Sequence, residues 1–152
     1  MEIQEFLQPD SVINIKASSK KQLLQELAKA SSRVIGHDDG KLFETLLERE
    51  RLGSTGVGKG VAIPHAKLSG LNGLQGIFSR LDKPVDFESV DGYPVDLIFL
   101  LLAPLDATAD HLKALAKVSR LLRNSEFCEK LRGASNSEGL YILLTQTEAE
   151  AA

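Results

Sequence analysis

The sequence predicts an α/β fold, a single-domain sandwich with a mixed sheet flanked by helices on both faces. Three observations lead there. Stretches of strand-like apolar pattern alternate along the chain with stretches of helical period. Val95 to Ala103 is apolar on both faces apart from Asp96, as in an interior strand covered by helices on either side. The length of 152 residues fits one domain, and its 43% hydrophobic and 26% charged residues are ordinary for a globular chain with no repeat or linker.

The elements follow in order. After a Pro9-Asp10 turn, Val12 to Ile15 alternate weakly and predict a first short strand. Ser19 with Gln22 three residues later forms a capping-box pattern, and Leu23, Leu27, Ala30 and Val34 repeat at helical spacing up to Gly36. Asp38 or Asp39 caps a second helix whose buried face is Leu42, Phe43, Leu46 and Leu47, and the spacing carries that face on to Arg49. Gly53 ends it. Val61 to Ile63 is too short for anything but a strand, and Pro64 favours extended geometry before it. Gly73 to Leu81 alternates as a strand, Val85 to Ser89 is a short extended piece, and Asp91-Gly92 is a turn signal. The region 73–103 is therefore expected to be antiparallel in part. Ala107 to Arg123 predicts a helix with His111, Leu115, Val118 and Leu122 in its stripe. Ser125 caps a helix carrying Phe127, Cys128 and Leu131 and ended by Gly133; Asn136 caps a last one, and 148–152 reads as a frayed tail.

Composition excludes several function classes. A formal net charge of −3 argues against non-specific nucleic-acid binding. The Met1 to Glu5 stretch lacks a basic segment followed by a long apolar run, and Leu97 to Pro104 is far short of the ~20 residues a spanning helix needs. The single cysteine, Cys128, suits a reducing compartment and reads as core beside Phe127. A cytoplasmic domain is the expectation. No Cys/His cluster suggests a metal site.

The chemistry concentrates in Gly53-Ser54-Thr55-Gly56-Val57-Gly58-Lys59-Gly60, followed by Val61-Ala62-Ile63-Pro64-His65. One reading is an anion cradle: amides of Gly56, Gly58 and Gly60 with the hydroxyls of Ser54 and Thr55 would surround a phosphate. The other is a plain connector. A nucleotide-binding P-loop fits poorly, because Gly60 stands where a Mg²⁺-binding hydroxyl belongs and the loop follows a helix instead of a strand. His65, fixed by Pro64, presents an imidazole of little positional freedom, and a neutral imidazole is a nucleophile at physiological pH. His111, at a helix start, either stays neutral and donates a hydrogen bond to a phosphate or simply caps its own helix. Arg49 either snorkels over Leu46 towards the helix C-terminus or reaches a phosphate. His37 lies in a polar turn with no special role.

At these residues the chain resembles the enzyme IIA proteins of the mannitol/fructose type in the bacterial phosphotransferase system, and within them the nitrogen-regulatory subgroup. The likeness covers nearly the whole chain, with a domain over residues 1–147. It rests on Ser19-Lys20-Lys21, Arg49-Glu50-Arg51-Leu52-Gly53-Ser54-Thr55-Gly56, Gly60-Val61-Ala62-Ile63-Pro64-His65, Pro94-Val95-Asp96-Leu97-Ile98-Phe99 and His111-Leu112. The resemblance implies that His65 is the phosphorylated histidine, served by a phosphohistidine on HPr or its nitrogen-branch counterpart NPr. His111 would hydrogen-bond the phosphate and Arg49 would be the active-site arginine. It implies a mixed, roughly five-stranded sheet flanked by helices on both faces, no cofactor or metal at this step, and regulatory targets such as potassium-transport regulators or sensor kinases. Ala66 departs from the Gly that many relatives carry there, which narrows the loop's freedom. Two alternatives stand beside the regulatory phosphocarrier: a sugar-transport IIA passing its phosphoryl group to a IIB protein, and a non-catalytic module binding an anion or peptide.

Overall fold

The computed structural model describes residues 1–107 and 109–151, with side chains up to residue 146. Its elements are β1 (Val12–Ile13), α1 (Lys20–Ile35), α2 (Asp39–Arg51), β2 (Gly56–Gly58), β3 (Val61–Ala62), β4 (His65–Leu68), β5 (Gln75–Val85), β6 (Val95–Pro104), α3 (Ala109–Leu122), α4 (Ser125–Gly133) and α5 (Ser137–Ala151). Two single-turn 3₁₀ helices, Ile3–Glu5 and Pro9–Ser11, precede β1. The frayed tail expected at 148–152 lies outside the residues whose side chains are described.

The sheet is mixed, in the order β1-β5-β6-β3-β2, with β4 also on β6. β5 and β6 are antiparallel, whereas β1 runs parallel to β5 and β3 and β4 run parallel to β6. Val61 pairs with Leu97 and His65 with Leu101, so β3 and β4 keep one register and are a single strand interrupted at Ile63-Pro64. Six segments thus make the expected five ribbons. β5 is longer than its alternation suggested: it runs on through Pro84 to Val85 by way of a register shift after Arg80, which accommodates a residue with no ladder donor.

Alternate residues of the central strands feed two cores. Leu97, Phe99 and Leu101, with Val61, Ile63 and Phe78, pack against Ala114 and Val118 of α3, Phe127 and Leu131 of α4, and Leu140 and Leu144 of α5. Ile98, Leu100 and Leu102, with Ala62 and Ile77, pack against Leu23, Leu24 and Leu27 of α1 and Leu42 and Leu46 of α2. Helices therefore cover both faces.

Local signals explain the helix ends. Ser19 accepts the Gln22 N–H at 3.2 Å, and Gly36 closes α1 in the left-handed region at φ 69°. The Gln22 carboxamide reaches back to the Ser18 N–H at 2.7 Å, one residue before the partner a capping box would use. Asp38 caps α2 through the Gly40 N–H at 3.1 Å. Asn124, one residue earlier than the expected Ser125, caps α4 through the Phe127 N–H at 3.1 Å. Cys128 is buried and burial pushes its thiol pKa up, in keeping with a core role.

Candidate functional site

His65 opens β4 at the place where the sheet changes its edge. β2 covers β3 but stops there, because Ile63 N–H donates to Thr55 O at 2.9 Å and the chain before Thr55 turns back into α2. Pro64 breaks the strand yet keeps it on β6, its carbonyl accepting the Leu101 N–H at 2.9 Å. The His65 ring is half-buried, and its Nδ1 lies 2.8 Å from the carbonyl oxygen of Ile63. A carbonyl only accepts, so Nδ1 carries the hydrogen and Nε2 carries the lone pair.

Strand alternation puts His65 on the α3 side of the sheet. There, in the first turn of α3, His111 is buried to 8% exposure with its ring centroid 6.0 Å from that of His65, tilted by 54°. Its Nδ1 has no hydrogen-bond partner among the described residues. Burial, then the nearby His65 and Lys67 charges, hold its pKa below the usual imidazole value. The neutral ring therefore has one N–H to give. An acceptor oxygen held on His65 would need to come within about 3 Å of that N–H, and the ring separation leaves room for it.

Arg49 approaches from the other helical layer. With Thr45, Glu48, Leu52, His65 and Lys67 it lines an open cleft of about 520 Å³. Its Nη1 donates to Gly53 O at 2.9 Å, so the guanidinium both ties down the end of α2 and stands in the His65 cleft. The bond to Gly53 O matches the reading of Arg49 as a residue that tends the helix end. The site thus joins Arg49, His65 and His111 from α2, β4 and α3, with Lys67 adding positive charge on the same strand face as His65. Two exposed leucines lie beside these residues: Leu52, which lines the cleft and is 85% exposed, and Leu112, next to His111 and 65% exposed.

The anion cradle is not built as expected. The glycine stretch is a hairpin whose turn, Lys59-Gly60, has φ of 56° and 82°, the signature of a tight turn with positive φ at both central residues. The tip points away from His65. Gly60 O accepts the N–H of Asp96, at the opposite end of β6 from the His65 partner Leu101. Four residues lie between Gly60 and His65, five extended steps or roughly 16 Å. Gly58 and Lys59 instead line a cavity with Ser119, Leu122 and Arg123 at the far end of α3 from His111. The Gly56 amide and the two hydroxyls are already engaged: Gly56 N–H donates to Ser54 Oγ at 3.1 Å, Ser54 Oγ donates to Phe87 O at 3.1 Å, and the buried Thr55 hydroxyl donates to Glu50. Gly56 is needed for packing, since a Cβ there would meet Ser89 Cβ at 2.9 Å and Ser89 Cα at 3.1 Å. The hairpin tip is locked by Arg132, which holds Asp96 through Nε and Nη2 at 2.8 and 2.9 Å and the Lys59 carbonyl at 3.0 Å.

Sequence reasoning missed Glu50. It is buried, and it accepts hydrogen bonds from both the N–H (3.0 Å) and the hydroxyl of Thr55, while Lys20 Nζ lies 3.0 Å from its Oε1. The signal was present: Leu42, Leu46 and Glu50 fall four apart, one residue out of step with Arg49.

No group of His, Cys, Asp or Glu among the described residues can hold a metal ion, and no helix there is long and apolar enough to cross a membrane. Residues 5–147 match the family model described as "Phosphoenolpyruvate-dependent sugar phosphotransferase system, EIIA 2". The nitrogen regulatory protein of Bradyrhizobium diazoefficiens is 50% identical over 153 residues, spanning 100% of both chains. The crystal structure of nitrogen regulatory protein IIA-Ntr from Neisseria meningitidis superposes with a TM-score of 0.87 at 39% identity, over 94% of this chain and 99% of that one. The IIA mannitol structure from Escherichia coli shares the fold at a TM-score of 0.73 and 18% identity, over 90% of this chain and 97% of that one. With its sheet, its paired imidazoles and full-length likeness to nitrogen regulatory proteins, the chain belongs to the EIIA type-2 family of the phosphotransferase system.

Proposed function

We propose that the chain is a histidine phosphocarrier, accepting a phosphoryl group on Nε2 of His65 from a phosphohistidine donor of the HPr or NPr type and acting as a regulator through its phosphorylation state. The observation that carries this reading is the hydrogen bond from His65 Nδ1 to Ile63 O, which leaves Nε2 as the nucleophile in a cleft shared with Arg49 and beside the His111 ring.

Transfer then needs no proton to move on this chain. The Nε2 lone pair attacks phosphorus in line, the donor's N–P bond breaks, and the donor imidazole leaves with that electron pair. His65 becomes an N-phosphorylated imidazolium, its positive charge held against the Ile63 carbonyl while the phosphoryl oxygens carry the negative charge. The Arg49 guanidinium and the His111 N–H are the groups placed to receive those oxygens, and Lys67 adds to the positive field. The bonds broken and formed are alike, so the step is reversible. Leu52 and Leu112 offer a small apolar docking rim, suited to a transient partner. Phosphorylation adds negative charge at that rim, which supports a difference in target affinity between the two states.

The test is to incubate the protein with phosphoenolpyruvate, enzyme I and HPr or NPr, and to follow acid-labile phosphate by intact mass. Labelling that vanishes in His65→Ala is expected. Labelling that survives this substitution, or none in the unaltered protein, would overturn the reading.

A further inference from the structure

We propose that Glu50 is a positioning residue for the nucleophile, acting through the backbone to hold the His65 ring in its Nδ1–H form. The inference rests on the phosphocarrier reading and adds to it a residue that touches neither phosphate nor His65.

A continuous run of polar contacts links Glu50 to the His65 ring. Lys20 Nζ lies 3.0 Å from Glu50 Oε1 and its charge balances the buried carboxylate, whose side chain is 4% exposed. Oε1 accepts the Thr55 N–H at 3.0 Å, and Oε2 accepts the Thr55 hydroxyl. With both ends of Thr55 fixed, its carbonyl accepts the Ile63 N–H at 2.9 Å, and the Ile63 carbonyl accepts His65 Nδ1–H at 2.8 Å. Each link joins a different segment: α1, α2, the turn after α2, the end of β3, and β4. The Glu50 backbone adds a further tie, its carbonyl accepting the Gly53 N–H at 3.1 Å, while the adjacent Arg49 holds Gly53 O. Two consecutive residues of α2 thus fix the turn at 53–55, one also standing in the cleft and the other wholly behind it.

A carboxylate suits this place for a chemical reason. Thr55 presents two donors, and only an acceptor with two oxygens takes both in a fork. A simple core-filling role needs no such fork and no ammonium brought in from α1. If the fork is lost, Thr55 and Ile63 relax, the Ile63 carbonyl shifts from the ring, and His65 exchanges towards the Nε2–H tautomer, which has no lone pair on the attacking nitrogen.

The experiment uses the full chain with Glu50→Gln, and Thr55→Val as a second variant that removes the hydroxyl at nearly constant volume. The ring tautomer of His65 is read by long-range proton–nitrogen correlation without any donor present, and the rate of labelling by phospho-HPr or phospho-NPr is read separately. In the unaltered protein His65 is expected wholly in the Nδ1–H form. Glu50→Gln is expected to shift it towards Nε2–H and to slow labelling at least tenfold, and Thr55→Val to shift it less in the same direction. A folded Glu50→Gln protein with the tautomer unmoved overturns the proposal, whether or not its rate or melting temperature falls, and Thr55→Val applies the same criterion if Glu50→Gln does not fold. Absence of labelling in the unaltered protein would count against the phosphocarrier reading alone, since the tautomer is measured without transfer.

Discussion

Gly56→Ala tests whether the glycine stretch is there for packing or for phosphate. A Cβ at residue 56 would stand 2.9 Å from Ser89 Cβ and 3.1 Å from Ser89 Cα, with Ser89 Oγ nearer still. Rotating Ser89 moves only its hydroxyl, so the 86–94 loop must give way, and Val90 N–H, 3.4 Å from Gly56 O, moves with it. Overpacking of this kind costs about 1–3 kcal/mol, which for a chain of this size lowers Tm by roughly 2–12 °C. The partner substitution is Ser89→Gly. It removes both offending side-chain atoms, and it sacrifices no hydrogen bond among the described residues, because Ser89 Oγ has no partner there. Chemical denaturation of both single variants and the double variant should give a coupling of at least about 1 kcal/mol, the double being more stable than the singles sum to. Labelling by a phosphohistidine donor should return with the fold in the double variant. Unchanged stability in Gly56→Ala, or additive effects in the cycle, would refute the packing account. A double variant that is stable but slow to accept phosphate would restore the amide of residue 56 to the site.

Further predictions bear on other parts of the molecule. His111 has a folded-state pKa below 6.5, so near and below that pH the unfolded chain binds more protons and stability is lost as the pH falls. His111→Gln should therefore flatten the loss of urea-midpoint stability between about pH 7.5 and about pH 5.5, and an unchanged slope would count against a neutral His111. Arg132→Ala breaks the bonds to Asp96 and Lys59 O at the hairpin tip; with both side chains of the ion pair partly exposed, the loss should be about 1–3 kcal/mol by denaturant unfolding. Its labelling rate should stay the same, because the tip lies roughly 16 Å from His65. Leu112→Asp, at a 65% exposed position beside His111, should leave circular dichroism unchanged and raise the KM for the phosphorylated donor about tenfold, equivalent to about 1.4 kcal/mol. Wild-type KM would place the docking rim elsewhere.

What the sequence made legible and what it hid divide by range. Ser19, Gly36 and Asp38 announce helix ends through contacts within a few residues, and those ends are where the capping rules put them. The apolar stripes likewise assign the helices to faces. The glycine stretch misled because glycine permits an open loop and a tight hairpin equally. Val57 and Val61 flanking Gly58-Lys59-Gly60 are the hairpin cue, but the turn is held by Asp91, Asp96 and Arg132, all distant in sequence. Asp91 is kept below the usual carboxylate range chiefly by the Lys59 N–H it accepts, a contact no local pattern announces. Glu50 escaped for the same reason. A glutamate on an apolar stripe looks like an error until Lys20 arrives from α1 to balance it.

The choice among three histidines follows from what each ring nitrogen faces. His37 has Nδ1 at 3.2 Å from Asp38 O and Nε2 at 3.1 Å from Ser69 O, so a backbone carbonyl stands against each nitrogen and leaves neither open to an incoming phosphorus. His111 has its Nδ1 buried against the core at the start of α3, where no partner protein can reach that atom. His65 differs from both: one nitrogen is fixed by a carbonyl that can only accept, and the ring stands half-buried on an edge strand that β2 has ceased to cover. Pro64 makes that arrangement stable, because it interrupts the strand without surrendering the pairing of β4 to β6. On the proposed phosphocarrier reading, a donor protein would therefore reach Nε2 without opening the fold, because Nδ1 is the nitrogen held by the Ile63 carbonyl. The exposure and ring orientation of residue 65 follow from how the strand is broken.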